Sequence, residues 1–156
     1  MSADSGSVVA IFIAARSAEP MVSVPSAQVV AGRGIVGDRK FRDPGHPKKD
    51  TPEREITLIE SEAIEAVNRD YPLRLEPIET RRNLLTRGVA LNHLVGRQFM
   101  VGSVRMRGLM LCEPCRHVES LTRPGVMRAL IHRGGLRAQI LDDGVISVGD
   151  SIRSVD

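Results

Sequence analysis

The sequence predicts a mostly β fold, a closed or partly open β-barrel with a few inserted short helices. Three observations carry this expectation. Short apolar, β-branched runs recur from Val8 to Ile152, and glycine or proline punctuates the gaps between them. Helical spacing is confined to one stretch after Glu60 and another between 113 and 131. Many short strands with few helices suit a barrel better than a layered α/β fold. At 156 residues the chain has one domain's length, and such a chain buries roughly 68–70% of its unfolded surface, so neither metal nor disulfide is required for stability.

Val8 to Ala15 (VVAIFIAA) reads as the first buried strand. The residues before it carry Asp4 and no Lys or Arg, the wrong charge for a secretory leader, so a cytoplasmic location is expected. Met21 to Val24 and Ala27 to Val30 are short β-branched runs broken by Pro20 and Pro25, as edge or bent strands are. Residues 31 to 54 mix glycine, proline and charge and are expected to form a long surface loop, a length usually tied to function or disorder. Ile56 and Leu58 mark a strand, and Ser61 or Glu60 opens a helix with Ile64 and Val67 on one face, closed before Tyr71-Pro72. Leu84-Leu85 forms a strand that breaks at Gly88, and Leu91, Leu94 and Val95 form a short helix before Gly96. Val104, Met106 and Met110 line one face of a half-buried strand. Residues 113 to 131 are helical apart from a break at Pro124-Gly125. Leu136 to Leu141 and Val145 to Val148 form a hairpin about Asp143-Gly144, and a last strand lies at Ile152.

Composition narrows the function. The fractions, 42% hydrophobic and 26% charged, are those of an ordinary globular domain. No run approaches eighteen apolar residues, so no membrane-spanning helix is expected. The net charge of +3 is small, and one Tyr and three Phe offer little stacking surface, which disfavours nucleic-acid binding. Only Lys40, Lys48 and Lys49 of the 22 basic residues are not Arg. Guanidinium forks suit a small carboxylate or phosphate, although codon bias explains the skew equally well.

Gly32-Arg33-Gly34-Ile35-Val36-Gly37 has the G-x-G-x-x-G spacing, but a dinucleotide site must open a helix, and the prolines between 44 and 52 forbid one. These glycines serve a loop instead. Cys112-Glu113-Pro114-Cys115-Arg116-His117 is the most informative segment. Two cysteines and a histidine suit zinc if His46, His93 or His132 completes the set. The C-x-x-C spacing also suits a dithiol redox pair. In a third reading Pro114 is the first helical residue and Cys115 sits in the first turn beside Arg116 and His117, a setting that favours a nucleophilic or sulfur-carrying thiolate. Both cysteines are equally well read as small buried hydrophobes. Arg81-Arg82-Asn83 with Arg87, and His132-Arg133-Gly134-Gly135 with Arg137, are dense donor clusters suited to an oxoanion or to a solvated face.

Taken in order, Gly34-Ile35-Val36-Gly37-Asp38-Arg39, Arg81-Arg82-Asn83-Leu84-Leu85-Thr86-Arg87-Gly88, Leu94-Val95-Gly96, Pro114-Cys115 and Arg133-Gly134-Gly135 through Gly144-Val145-Ile146-Ser147-Val148-Gly149-Asp150 resemble a MOSC domain, the molybdenum cofactor sulfurase C-terminal domain. The resemblance implies a single stand-alone domain over residues 1–156, its core from about 8 to 153. It implies a site for molybdenum cofactor, with Cys115 carrying sulfur as a persulfide or ligating molybdenum. Arg81, Arg82, Asn83, Arg87, Arg133, Gly37 and Asp38 are its expected cofactor-binding residues, with Cys112, Arg116 and His117 auxiliary. The implied activities are sulfur transfer and molybdenum-dependent reduction of N-hydroxylated compounds, the alternative being a delivery module without chemistry. No pyridoxal-phosphate site is recognisable, so a separate cysteine desulfurase or electron-transfer protein is the expected partner. Cys112 is additional to the family pattern and is expected to resolve a persulfide on Cys115 as a disulfide.

Overall fold

Alternation of side chains along extended segments organises this molecule, because several strands are apolar on both faces. The computed structural model describes residues 4–42 and 52–155. Its strands are β1 (Asp4–Ile13), β2 (Val22–Val24), β3 (Ser26–Val30), β4 (Gly34–Ile35), β5 (Ile56–Glu60), β6 (Leu84–Val89), β7 (Gln98–Val101), β8 (Val104–Leu111), β9 (Leu136–Ile140), β10 (Gly144–Ser147) and β11 (Ser151–Ser154). The helices are α1 (Ser61–Asp70), α2 (Arg116–Ser120) and α3 (Val126–Ala129). Seven strands close a barrel in the order β1-β11-β7-β8-β9-β5-β6 and back to β1, with β2 added outside on β1. Only the β5–β6 neighbours are parallel within it, and a smaller, separately hydrogen-bonded sheet, β10-β3-β4, adds Ala27, Val29, Ile35 and Ile146 to the barrel's core. No described helix is long and apolar enough to cross a membrane.

Each barrel strand sends a fully buried residue to one core: Ile11, Leu58, Leu84, Phe99, Met106, Leu136 and Ile152. The adjacent residues Phe12, Ile59 and Leu85 enter a second core. There they meet Ile64 and Val67 of α1 and Val126 of α3, so helices cover the β1-β6-β5 side of the barrel. Burying both faces of β5 explains why Ile56, Leu58 and Ile59 are apolar and why even Thr57 between them is buried.

The barrel expectation is met, and four local readings are corrected. Leu136 to Val148 is not a hairpin: β9 is flanked by β5 and β8, so neither edge is free, and β10 pairs with β3 instead. Asp143 Oδ1 accepts from Ala31 N at 2.8 Å, which ties the turn to the smaller sheet. β6 continues through Gly88 rather than breaking there. At φ 84° Gly88 accommodates the irregular β1–β6 register, where Gly6 passes so close that a Cβ would strike the Arg87 carbonyl. Residues 31 to 54 contain β4, and β7 escaped the sequence reading altogether; the prolines at 44 and 47 lie outside the described residues. The helical stretch 113–131 shortens to α2 and α3, separated by Pro124-Gly125.

Candidate functional site

Where β8 leaves the barrel, Cys112 N donates to Gly135 O at 2.7 Å and its side chain is 1% exposed. Three residues on, Cys115 is the N-cap of α2, extended at φ −131° and ψ 171°, and its side chain caps nothing. Pro114 therefore precedes the cap rather than opening the helix. The Cys115 sulfur belongs to an exposed residue, and both cysteines are free thiols.

Cys115 opens on a cleft of about 230 Å³ whose described walls include Arg39, Lys40, Arg54, Arg81, Arg82 and Arg137, with His117 also lining it and no carboxylate among them. Four elements deliver these cations. Arg39 and Lys40 follow the turn after β4, and buried Asp38 fixes that turn. Its Oδ1 accepts from Ala14 N at 3.1 Å and Arg39 Nη1 at 3.2 Å, and its Oδ2 accepts from Lys40 N at 3.3 Å. Arg54 ends a single helical turn before β5, and Arg137 projects from β9, donating to Glu53 O at 3.2 Å. Arg81 and Arg82 precede β6. Burial, reinforced by Arg39 and Arg137, lowers the Lys40 pKa from 10.5 to about 8.

The two adjacent arginines do different work. Arg82 is buried, and its guanidinium donates to Gly134 O at 2.7 Å, Cys112 O at 3.0 Å and Thr80 O at 3.3 Å. It binds together the chain segments that carry the two cysteines, the Gly134-Gly135 turn and the start of β6. Removal from water lowers its pKa, with Cys112 the next influence in the opposite sense. The glycines are required: at φ 103°, a Cβ on Gly135 would strike Leu58 O, and one on Gly134 would strike Cys112 O. Arg81 is also buried, at 8% exposure, and adopts φ 64°. Its Nη1 donates to Glu19 O at 2.7 Å, while Nε and Nη2 are buried donors with no hydrogen-bond partner. Burial, then Arg39, lowers its pKa.

The structure thus gathers Cys115, His117, Arg81 and Arg82 from the sequence-predicted set, with Asp38 behind them. Others lie elsewhere. Asn83 is buried, accepting from Thr57 N at 3.0 Å and donating to Phe12 O at 3.1 Å, so it joins β5 to β1. Arg87 pairs with Glu65 of α1 on the exposed surface. Arg133 pairs with Asp70 at 3.1 Å and lines a different concavity with Glu60 and His132. Gly37 forms the exposed turn before Asp38, and exposed Arg116 is absent from the cleft lining. Arg39, Lys40 and Arg54 were not singled out from the sequence; the available signal was their place beside Asp38 and after a long polar loop. Among the described residues no three His, Cys, Asp or Glu groups cluster as a metal site. His132 faces Glu113 at 3.2 Å, and His46 lies outside the described residues.

A sequence model described as MOSC domain matches residues 45–153. No curated protein matches the chain at a significant level. Among solved structures, the fold resembles the YUAD protein from Bacillus subtilis, with TM-score 0.81 and 15% identity over 96% of this chain and 95% of that one. It also resembles YiiM from Escherichia coli, with TM-score 0.72 and 16% identity over 97% of this chain and 70% of that one. YiiM from Geobacillus stearothermophilus has TM-score 0.72 and 15% identity, over 97% and 75% of the two chains.

Proposed function

Because the chain belongs to the MOSC domain family, a family associated with molybdenum cofactor, we propose that it binds that cofactor by its anionic end in the cationic cleft and uses Cys115 as the working sulfur. The observation that carries this is the exposed Cys115 opening on a cleft with six cationic side chains and no described carboxylate. Such a donor set suits a phosphate, which guanidinium groups bind through charge-assisted, often bidentate hydrogen bonds. The cleft is smaller than the roughly 300–1,000 Å³ of sites that enclose a drug-sized ligand, so it suits the phosphate end and leaves the remainder at the mouth beside Cys115.

In this reading the bound cofactor supplies molybdenum redox chemistry or accepts a sulfur. The protein's residues do the rest. Asp38 presets Arg39 and Lys40, so the anion meets cations already in position. Arg82, donating to three backbone carbonyls, holds the Cys115 segment against the start of β6 and keeps two N–H groups for the anion. His117, in the first turn of α2, lines the same cleft as Cys115. Cys115 either ligates the metal through its thiolate or carries a sulfane sulfur delivered by a separate donor protein.

Mass spectrometry of native protein from a molybdenum-replete host tests this. The expected outcome is cofactor mass, or an increment of about 32 Da, one sulfur, on the peptide containing Cys115. Cys115→Ser should lose whichever is present while remaining folded. Retention by the variant of what the parent carries, or neither in the parent protein, refutes the reading.

A further inference from the structure

Arg81 lines two concavities at once. One is the cationic cleft; the other is a neighbouring groove of about 220 Å³ walled by Ala18, Met21, Ile78 and Leu121. The same three pieces of chain run from one to the other. Ser17 lines the cleft and Ala18 the groove, Val118 of α2 lines the cleft and Leu121 just beyond it the groove, and Arg81 lines both. The groove, about 220 Å³, and the cleft, about 230 Å³, are of similar size and share Arg81 as a common wall.

We propose that this groove is a subsite for the apolar body of a small organic anion, whose two-oxygen head, a carboxylate or phosphate, is clasped by Arg81. The unpartnered Nε and Nη2 form one edge of the guanidinium, the edge that makes two parallel N–H···O bonds to such a head group. A residue more than nine-tenths buried does not leave two donors unpaired without cost, since each unpaired buried donor is worth roughly 5- to 150-fold in an equilibrium, about 1–3 kcal/mol. A bound anion would relieve it.

The groove itself is built for an apolar occupant. Met21, Ile78 and Leu121 line it, and Leu121 is 40% exposed. Its carboxylate, Glu79, does not repel an anion, because Arg123 holds it bidentately at 2.9 and 3.0 Å. At about 30 Å³ per water-sized group, 220 Å³ accommodates roughly seven heavy atoms. Backbone strain marks the same place: Ala18 at φ 66° and Arg81 at φ 64° are two of four described non-glycine residues with positive φ. Such strain is costly and gathers at binding and catalytic sites.

As a binding site the groove stands independently; in serving as a substrate subsite for Cys115 it rests on the proposed function. The test titrates the purified chain, by NMR, with acetate, butanoate and hexanoate, and with hexyl phosphate to separate the two head groups. Affinity should rise two- to fourfold per added methylene, up to the transfer limit for a buried CH₂. Arg81→Gly tolerates the backbone angle and removes the fork; it should weaken hexanoate by at least 10-fold. Leu121→Ser, at an exposed position, should flatten the chain-length dependence while leaving acetate unchanged. Equal affinity for acetate and hexanoate, or hexanoate binding indifferent to both substitutions, overturns the proposal. Cofactor loading on Cys115 is read separately, so the two readings can fail independently.

Discussion

Lys40 gives the sharpest quantitative handle on the cleft. Its pKa of about 8 in the folded protein, against 10.5 in the unfolded chain, corresponds to roughly 3 kcal/mol of disfavoured charge, about 2 kcal/mol once its remaining solvent contact is allowed for. Burial is the main cause, followed by Arg39 and Arg137. An anion entering the cleft offsets all three and restores the proton. At pH 8.5 about a quarter of Lys40 carries its proton, so sulfate binding should take up to about 0.7 of a proton from buffer. Calorimetric titration of sulfate in two buffers of unlike ionisation enthalpy measures that uptake. It should vanish at pH 6.5, where Lys40 is already charged, and be lost in Lys40→Met. The same shift fixes the stability profile. Between pH 8 and 10.5 the unfolded chain binds more protons than the folded one, so stability rises with pH through that window; below about 8 the whole penalty persists. Lys40→Met should therefore raise Tm at pH 7 by about 4–8 °C. Absence of proton uptake at pH 8.5, or its persistence in Lys40→Met, would refute the claim that burial among cations holds Lys40 poised.

Two further outcomes follow from the same geometry. In native protein Cys115 should be alkylated and Cys112 protected until denaturation, and the anionic reagent iodoacetate should gain on neutral iodoacetamide by about 10-fold or more at low salt, the advantage fading by 1 M salt, as peptide mass mapping can show. Arg82→Met should cost about 3–5 kcal/mol, read by urea unfolding, because it strands three buried carbonyls, and Arg82→Lys should recover little of it because an ammonium lacks the planar fork.

Much of the fold was legible because burial leaves a period in the sequence. Val104 and Met106 alternate with charged residues and form β8, and Ile64 with Val67 marks the inward face of α1. The failures have equally local causes. Asp143-Gly144 carries a hairpin signal, yet β9 has both neighbours supplied by distant segments, so the chain passes to β3. Gly88 reads as a breaker, whereas in the barrel it serves an irregular strand pairing. Of the site, Cys115 and the Arg81-Arg82 pair stood out as residue types. Nothing in their spacing distinguishes Arg82, which donates to three backbone carbonyls, from Arg81, whose buried Nε and Nη2 have no partner.

Local chemistry and short-range periodicity fix which runs are apolar, where most strands lie, and that Arg116 and His117 follow Cys115 in the chain. That Arg39, Lys40, Arg54, Arg81 and Arg137, spread over nearly a hundred positions, line one cleft is visible in no stretch of the chain taken alone. That convergence depends on barrel closure, and closure is a property of pairings between segments far apart in the chain, which no local pattern encodes.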